Sequence, residues 1–139
     1  MGALRQISVF AKNQPGKLEN ICRVLAQEKV NILALNIASS GKFGVIKFIV
    51  DDTDRATTAF EQAGFTVAVT EVLAIAISDR PGGLHAVADA LQQQAVNIDN
   101  AYVLIPQERA IAYFVVETDD IAAARRKLAG AGLTMYDGN

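Results

Sequence analysis

The 139-residue chain has one cysteine, Cys22, one histidine, His85, three prolines and no tryptophan. A single cysteine excludes an intrachain disulfide and any cysteine-based metal site. Charge is nearly balanced, at a formal −2, and Lys and Arg are scattered rather than clustered, so there is no electrostatic footprint for nucleic acid. The apolar runs, such as Val72 to Ile77, fall far short of the roughly 20 residues that a membrane helix requires. The start, Met1-Gly2-Ala3-Leu4-Arg5, has neither the basic segment nor the apolar run of a secretory signal, and the expected address is the cytoplasm. What is present is apolar residues, at 51% enough to build a packed core.

The sequence is also duplicated. An offset of 66 lays Pro15-Gly16-x-Leu18 on Pro81-Gly82-x-Leu84 and Val30-Asn31-Ile32 on Val96-Asn97-Ile98, and carries Phe48-x-Val50 onto Phe114-x-Val116. Gly64-Phe65 and Gly132-Leu133 need an offset of 68, and the two-residue insertion is expected in the last helix of the second copy. Two copies at this period read as tandem small domains, 1–71 and 72–139, rather than a solenoid. No Gly/Ser/Pro linker separates them.

Each copy predicts the same elements. Ile7, Val9 and Ala11 alternate as a strand ending near Lys12. A helix is expected from Pro15-Gly16, with Leu18, Ile21, Cys22 and Leu25 on its buried face and Leu84, Val87, Ala88 and Leu91 repeating that face. A strand from about Val30 to Ser39, a turn at Ser40-Gly41-Lys42 and a return strand from Phe43 to Val50 follow. Asp52 caps a second helix carrying Ala56, Ala59 and Phe60, Gly64 stops it, and Phe65 to Val69 is a fourth strand. The fold class is α+β: two ferredoxin-like βαββαβ units, each an antiparallel sheet with both helices on one face. Units this small are marginal alone and expose sheet edges. Joining them through the edges Leu33–Ala38 and Asp99–Leu104 into an eight-stranded sheet relieves both problems, and a further, face-to-face homodimer is expected.

Chemistry concentrates at one loop per copy. Asn13-Gln14-Pro15-Gly16-Lys17-Leu18 and Asp79-Arg80-Pro81-Gly82-Gly83-Leu84 join a strand to a helix start. Unpaired N–H groups and the positive dipole end there favour a carboxylate, while Asn13 or Asp79 can accept from an ammonium group. Together they suit a free α-amino acid; the alternative is that Asn13 and Asp79 only cap their helices. Asn31-Ile32 and Asn97-Ile98 form the second polar pair, either supporting the turn out of the helix or completing a pocket with Asn13 or Asp79. His85 is expected on the solvent side of its helix, and Cys22 in the core. No nucleophile, base and orienter converge, and no dinucleotide or phosphate-loop fingerprint is present.

Strand, N/D-x-Pro-Gly-x-Leu, helix, Val-Asn-Ile, hairpin, helix and strand, twice over, resembles the ACT domain across nearly the whole chain. The resemblance implies a non-enzymatic sensor without cofactors that binds a free amino acid between paired domains and regulates a metabolic enzyme supplied in trans. In serine-sensing ACT domains the Asn before Pro-Gly and the Asn of Val-Asn-Ile hold the ligand; the matching positions are Asn13 with Asn31 and Asp79 with Asn97. Their histidine two residues upstream is replaced by Ala11 and Ile77, a departure from serine specificity. Many ACT domains carry Gly before Val-Asn-Ile, where this chain has Lys29 and Ala95, so a positive φ there strains the turn. A protein-interaction adaptor of the same fold, without a ligand, is the alternative.

Overall fold

A computed structural model describes residues 4–104 and 111–136. In chain order it contains β1 (Leu4–Lys12), α1 (Lys17–Gln27), β2 (Ile32–Ser40), β3 (Phe43–Val50), α2 (Thr53–Gln62) and β4 (Thr66–Ser78). The second half contributes α3 (Gly83–Gln93), β5 (Asn100–Leu104), β6 (Ile111–Glu117), α4 (Ile121–Gly130) and β7 (Met135–Tyr136). The chain divides into two compact units, residues 5–70 and residues 71–136 with Leu4.

In the first unit the strands lie in the order β2-β3-β1-β4. The period-two alternation of β1 and β3 sends Ile7 and Val9, with Ile46, Phe48 and Val50, to the helix side. Ile21 and Leu25 of α1 and Ala56 and Phe60 of α2 close over them. Phe60 stacks on Phe48 with centroids 6.1 Å apart and receives the edge of Phe65 at 5.9 Å. The α1 face is rotated from the one expected. Val24 flanks the core, Cys22 is half-buried, and Leu18 is exposed. The second unit repeats the shift: Val87 and Leu91 are buried with Leu73, Ile75, Val116 and Leu128, whereas Leu84 and Ala88 face solvent.

The described residues form seven strands rather than eight. The last strand expected for the first copy and the first strand expected for the second are one, β4. Between Val67 and Val72 the sequence offers no Gly, Pro or Asn to break it. In the second unit β4 lies between its pairings to β6 and to the short β7, and β5 pairs β6 at the edge.

The strand registers also relocate the two-residue insertion. Val9 pairs with Ile46, and its repeat Ile75 pairs with Phe114, so the return strand already runs at an offset of 68. The helix caps agree, Asp52 corresponding to Asp120 and both helices having ten residues. Leu35 pairs with Phe48 and its repeat Ala101 with Val116, so the entering strand is still at 66. The extra residues therefore fall between Leu104 and Ile111, not in α4, and Phe48 corresponds to Val116 rather than Phe114.

All four helices leave through the same hydrogen-bonded exit, in which the second residue past the cap reaches back to the last turn. In α1, Val30 N donates to Leu25 O at 3.0 Å and Lys29 N to Ala26 O at 3.1 Å. The residue just past the cap is left-handed in each: Gly64 and Gly132 after α2 and α4, but Lys29 (φ 57°) and Ala95 (φ 56°) after α1 and α3. The positive φ expected at Lys29 and Ala95 is present. No helix among the described residues is long and apolar enough to cross a membrane.

Candidate ligand-binding site

The loop between β1 and α1 is built by Pro15 and Gly16. Lys17 N donates to Gln14 O at 3.3 Å, and Gly16 has φ 86° and ψ −6°, the signature of a type II turn with Pro at its second position and Gly at its third. Arg80-Pro81-Gly82-Gly83 repeats it, with Gly83 N donating to Arg80 O at 3.0 Å and Gly82 at φ 86°. Pro therefore shapes the turn before the helix rather than the first helical turn that was expected. The glycines are the N-caps, and no side chain caps either helix, so the capping reading of Asn13 and Asp79 does not hold.

Asn13 instead ties the loop to the β2–β3 hairpin. Its N donates to Lys42 O at 2.8 Å and its Nδ2 to Gly41 O at 3.2 Å. That fixes the carboxamide and leaves Oδ1 as an acceptor. A hollow of about 150 Å³ lies beside it, lined by Asn13, Gln14, Lys17 and Leu18 from the loop and helix start. Its other walls are Ala11, Lys12, Ile37, Ser39, Gly44 and Ile46. Lys17 is half-buried, with Nζ 5.6 Å from the centroid of the Phe65 ring. The hairpin walls Ile37, Ser39 and Ile46 escaped the sequence reading because they lie 20 or more residues away along the chain; the signal available was the strand register. A larger hollow of about 470 Å³ lies across the hairpin, where Phe10, Ala38, Phe43 and Val45 make it almost wholly apolar. It contains no charged side chain to meet a zwitterion.

The second copy differs. A cavity of about 400 Å³ adjoins Arg80, Pro81, Gly82 and Gly83, with Ile77, Ser78, Ala86, Val87 and Leu133 among its walls. It opens toward the segment leading into β7, whereas the first hollow opens toward β2 and β3. Asp79 and Leu84 do not line it.

Neither Val-Asn-Ile asparagine joins these loops within its own unit. An 11-residue helix, about 16 Å long, separates Asn31 from Asn13 and Asn97 from Asp79. Asn31 instead pairs with the corner before α2: its N donates to Asp51 Oδ1 at 2.9 Å and its O accepts from Asp51 N at 3.1 Å, with Ile32 following into β2. Asn97 Nδ2 donates to Asp99 Oδ1 at 3.2 Å, with Ile98 half-exposed between them. Asp99 has its carboxyl pushed above the usual range, first by the charge of Asp119, then by desolvation and a hydrogen bond with Asp119; the Asn97 hydrogen bond opposes the rise, and the Glu117 charge adds to it.

His85 is exposed, and the Cys22 thiol is pushed up by burial and then by Glu19. Among the described residues no three His, Cys, Asp or Glu side chains gather to hold a metal.

A family model described as an ACT domain pair matches residues 2–134. A solved structure of a protein from Bacteroides thetaiotaomicron is 29% identical, with a TM-score of 0.89 over 98% of this chain and 93% of that one. The ligand-free regulatory subunit of aspartate kinase from Thermus thermophilus aligns with a TM-score of 0.67 at 16% identity, over 91% of each chain. Aspartate kinase from Synechocystis aligns with a TM-score of 0.65 at 20% identity, over 97% of this chain and 26% of that one. No curated protein sequence matches the chain.

Proposed function

Because this chain belongs to the ACT domain pair family, we propose that it is a non-catalytic regulator that binds a free amino acid in the cytoplasm and acts allosterically on a metabolic enzyme supplied in trans. The observation that carries the reading is the hollow beside Asn13, where opposite functional groups of a zwitterion find opposite partners. A carboxylate meets the side-chain-uncapped start of α1. The ammonium group meets Asn13 Oδ1, held by the Gly41 tie, and the Gln14 side chain. Pro15 and Gly16 hold the turn, and Leu18 with Ile37 and Ile46 presents an apolar wall to the ligand side chain.

The β2 edge offers a place for the second asparagine. Antiparallel pairing of β2 with the same strand of a second chain, centred near Asn36, sets Ile32 opposite Ser40. Asn31 of the partner subunit then approaches the hollow that Ser39 borders. The eight-stranded sheet expected from joining the β2 and β5 edges of one chain is not formed among the described residues, where β2 and β5 are the outer strands; both edges are open to pairing between chains. The second-copy loop Asp79-Arg80-Pro81-Gly82-Gly83-Leu84 is proposed as a separate, non-equivalent site. A ligand-free adaptor is the second reading, favoured by the exposed apolar surface around Phe10 and Phe43, the latter 65% exposed.

A thermal-shift screen against the twenty amino acids at millimolar concentration separates the two. The sensor reading expects stabilisation by one or a few of them, because a ligand that binds only the folded state raises its stability. In Asn13→Ala affinity falls about 10- to 100-fold, the effect of a lost hydrogen bond to a charged group. Stabilisation by none of them contradicts the sensor and leaves the adaptor.

A further inference from the structure

The cavity in the second copy exists because two side chains that fill the same place in the first are missing. By the strand and helix correspondences, Gly83 stands where the first copy has Lys17, and Leu133 where it has Phe65. In the first copy the Lys17 ammonium lies over the Phe65 ring, 5.6 Å from its centroid, and the ring is itself set edge-on against Phe60. In the second, the lysine stem is gone and the ring is cut to a leucine. The result is about 400 Å³ of space between α3 and the segment entering β7.

Gly83 is not merely a smaller residue. A Cβ there would lie 2.0 Å from Ser78 O, a backbone atom that also accepts from Arg80 N at 2.8 Å. The loop is folded so tightly onto the helix start that a lysine cannot be restored without moving the backbone. The Ser78 carbonyl also brings negative charge density to the place where the first copy admits a carboxylate, so an anion in the second copy must look to Arg80. Arg80 lines the cavity, makes no ion pair among the described residues, and follows Asp79 in the same loop. Ala76, Ile77, Ala86, Val87 and Leu133 form its apolar wall, and Ser78, Arg80 and the loop backbone its polar one.

We propose that this cavity is a second amino-acid site, selective for a large apolar side chain of leucine to phenylalanine size, whereas the 150 Å³ hollow of the first copy takes a smaller ligand. The apolar side chain occupies the space left by the Phe65 ring and the lysine, and the carboxylate meets Arg80 while the ammonium group meets the Ser78 carbonyl. One chain thereby reads two classes of amino acid through two loops that are duplicates in sequence and different in shape. The assignment rests on the amino-acid-binding reading above.

The test is isothermal titration of the full chain with leucine, phenylalanine and glycine, for the parent, Leu133→Phe and Asn13→Ala. Leucine and phenylalanine are expected to bind the parent, and to bind Leu133→Phe about tenfold or more weakly, since the ring the first copy carries then fills their place. Asn13→Ala is expected to retain that binding, and glycine to be indifferent to Leu133→Phe. Ala86→Leu narrows the cavity from the exposed face of α3 and must give the same loss as Leu133→Phe. Unchanged binding of leucine and phenylalanine to both cavity-filling variants, or none to the parent, overturns the proposal. If those two fail while another amino acid binds in an Asn13-dependent way, only the second site falls; if no amino acid binds, the sensor reading falls with it.

Discussion

At the scale of single residues, the Asp99 carboxyl carries a pH dependence of known sign. The charge of Asp119 is the first cause of its raised pKa, followed by desolvation and the Asp119 hydrogen bond. The folded chain holds this proton more tightly than the unfolded one. Its contribution to stability is therefore full below the ordinary carboxylate value of about 3.9 and is lost as pH rises through the raised value. Asp119→Asn removes the leading cause. The variant is expected to melt above the parent at neutral pH, with the difference shrinking as the solution is acidified below about pH 4, readable from melting curves at the two pH values. A difference independent of pH contradicts the pairing of the two groups. Asn13 shows the limit of reading at this scale. Asn before Pro-Gly marks a polar loop in sequence. That it ties to Gly41 rather than capping α1 depends on a hairpin 28 residues away, which no local pattern encodes.

Among elements, the helix exits give the sharpest prediction. Lys29 and Ala95 take the left-handed conformation that Gly64 and Gly132 take without strain. A side chain there costs about 1–2 kcal/mol, and glycine returns roughly 0.4–1 kcal/mol of that through its freer unfolded chain. Lys29→Gly and Ala95→Gly are each expected to stabilise by about 0.5–1 kcal/mol in urea unfolding, whereas loss of stability would mean that the side chains earn their place by contacts. This strain was foreseeable only through the resemblance to ACT domains, many of which carry Gly before Val-Asn-Ile where this chain has Lys29 and Ala95. Other element-level features were not. Phe48-x-Val50 and Phe114-x-Val116 match by letter, yet pairing with β1 and β4 fixes Val116 as the partner of Phe48, because register follows the hydrogen-bonded neighbour and the apolar face. The fusion of two expected strands into β4 was legible in the absence of any turn residue from Val67 to Val72. The rotated helix face was not legible, since Leu18, Ile21, Cys22 and Leu25 fit a helical stripe as well as Ile21, Val24 and Leu25 do.

For the whole molecule, each unit of fewer than 70 residues leaves apolar surface at an open edge, with Leu35 and Ile37 of β2 at 41% and 49% exposure. In the proposed dimer, pairing of β2 between chains covers that edge and brings the partner's Asn31 to the proposed site. Ile37→Lys, a charge on the edge strand, is therefore expected to give a monomer in sedimentation velocity where the parent is a dimer, and equal sedimentation of the two would remove this interface. The central claim is that the loop beginning at Asn13 holds a free amino acid. Its most direct test is an amide NMR titration of the isotopically labelled full chain with each of the twenty amino acids. At least one ligand is expected to shift the amides of Asn13, Gln14, Lys17 and Leu18 together with those of Ile37 and Ser39 across the hollow. Amide shifts confined to other parts of the chain, or none with any ligand, would contradict it.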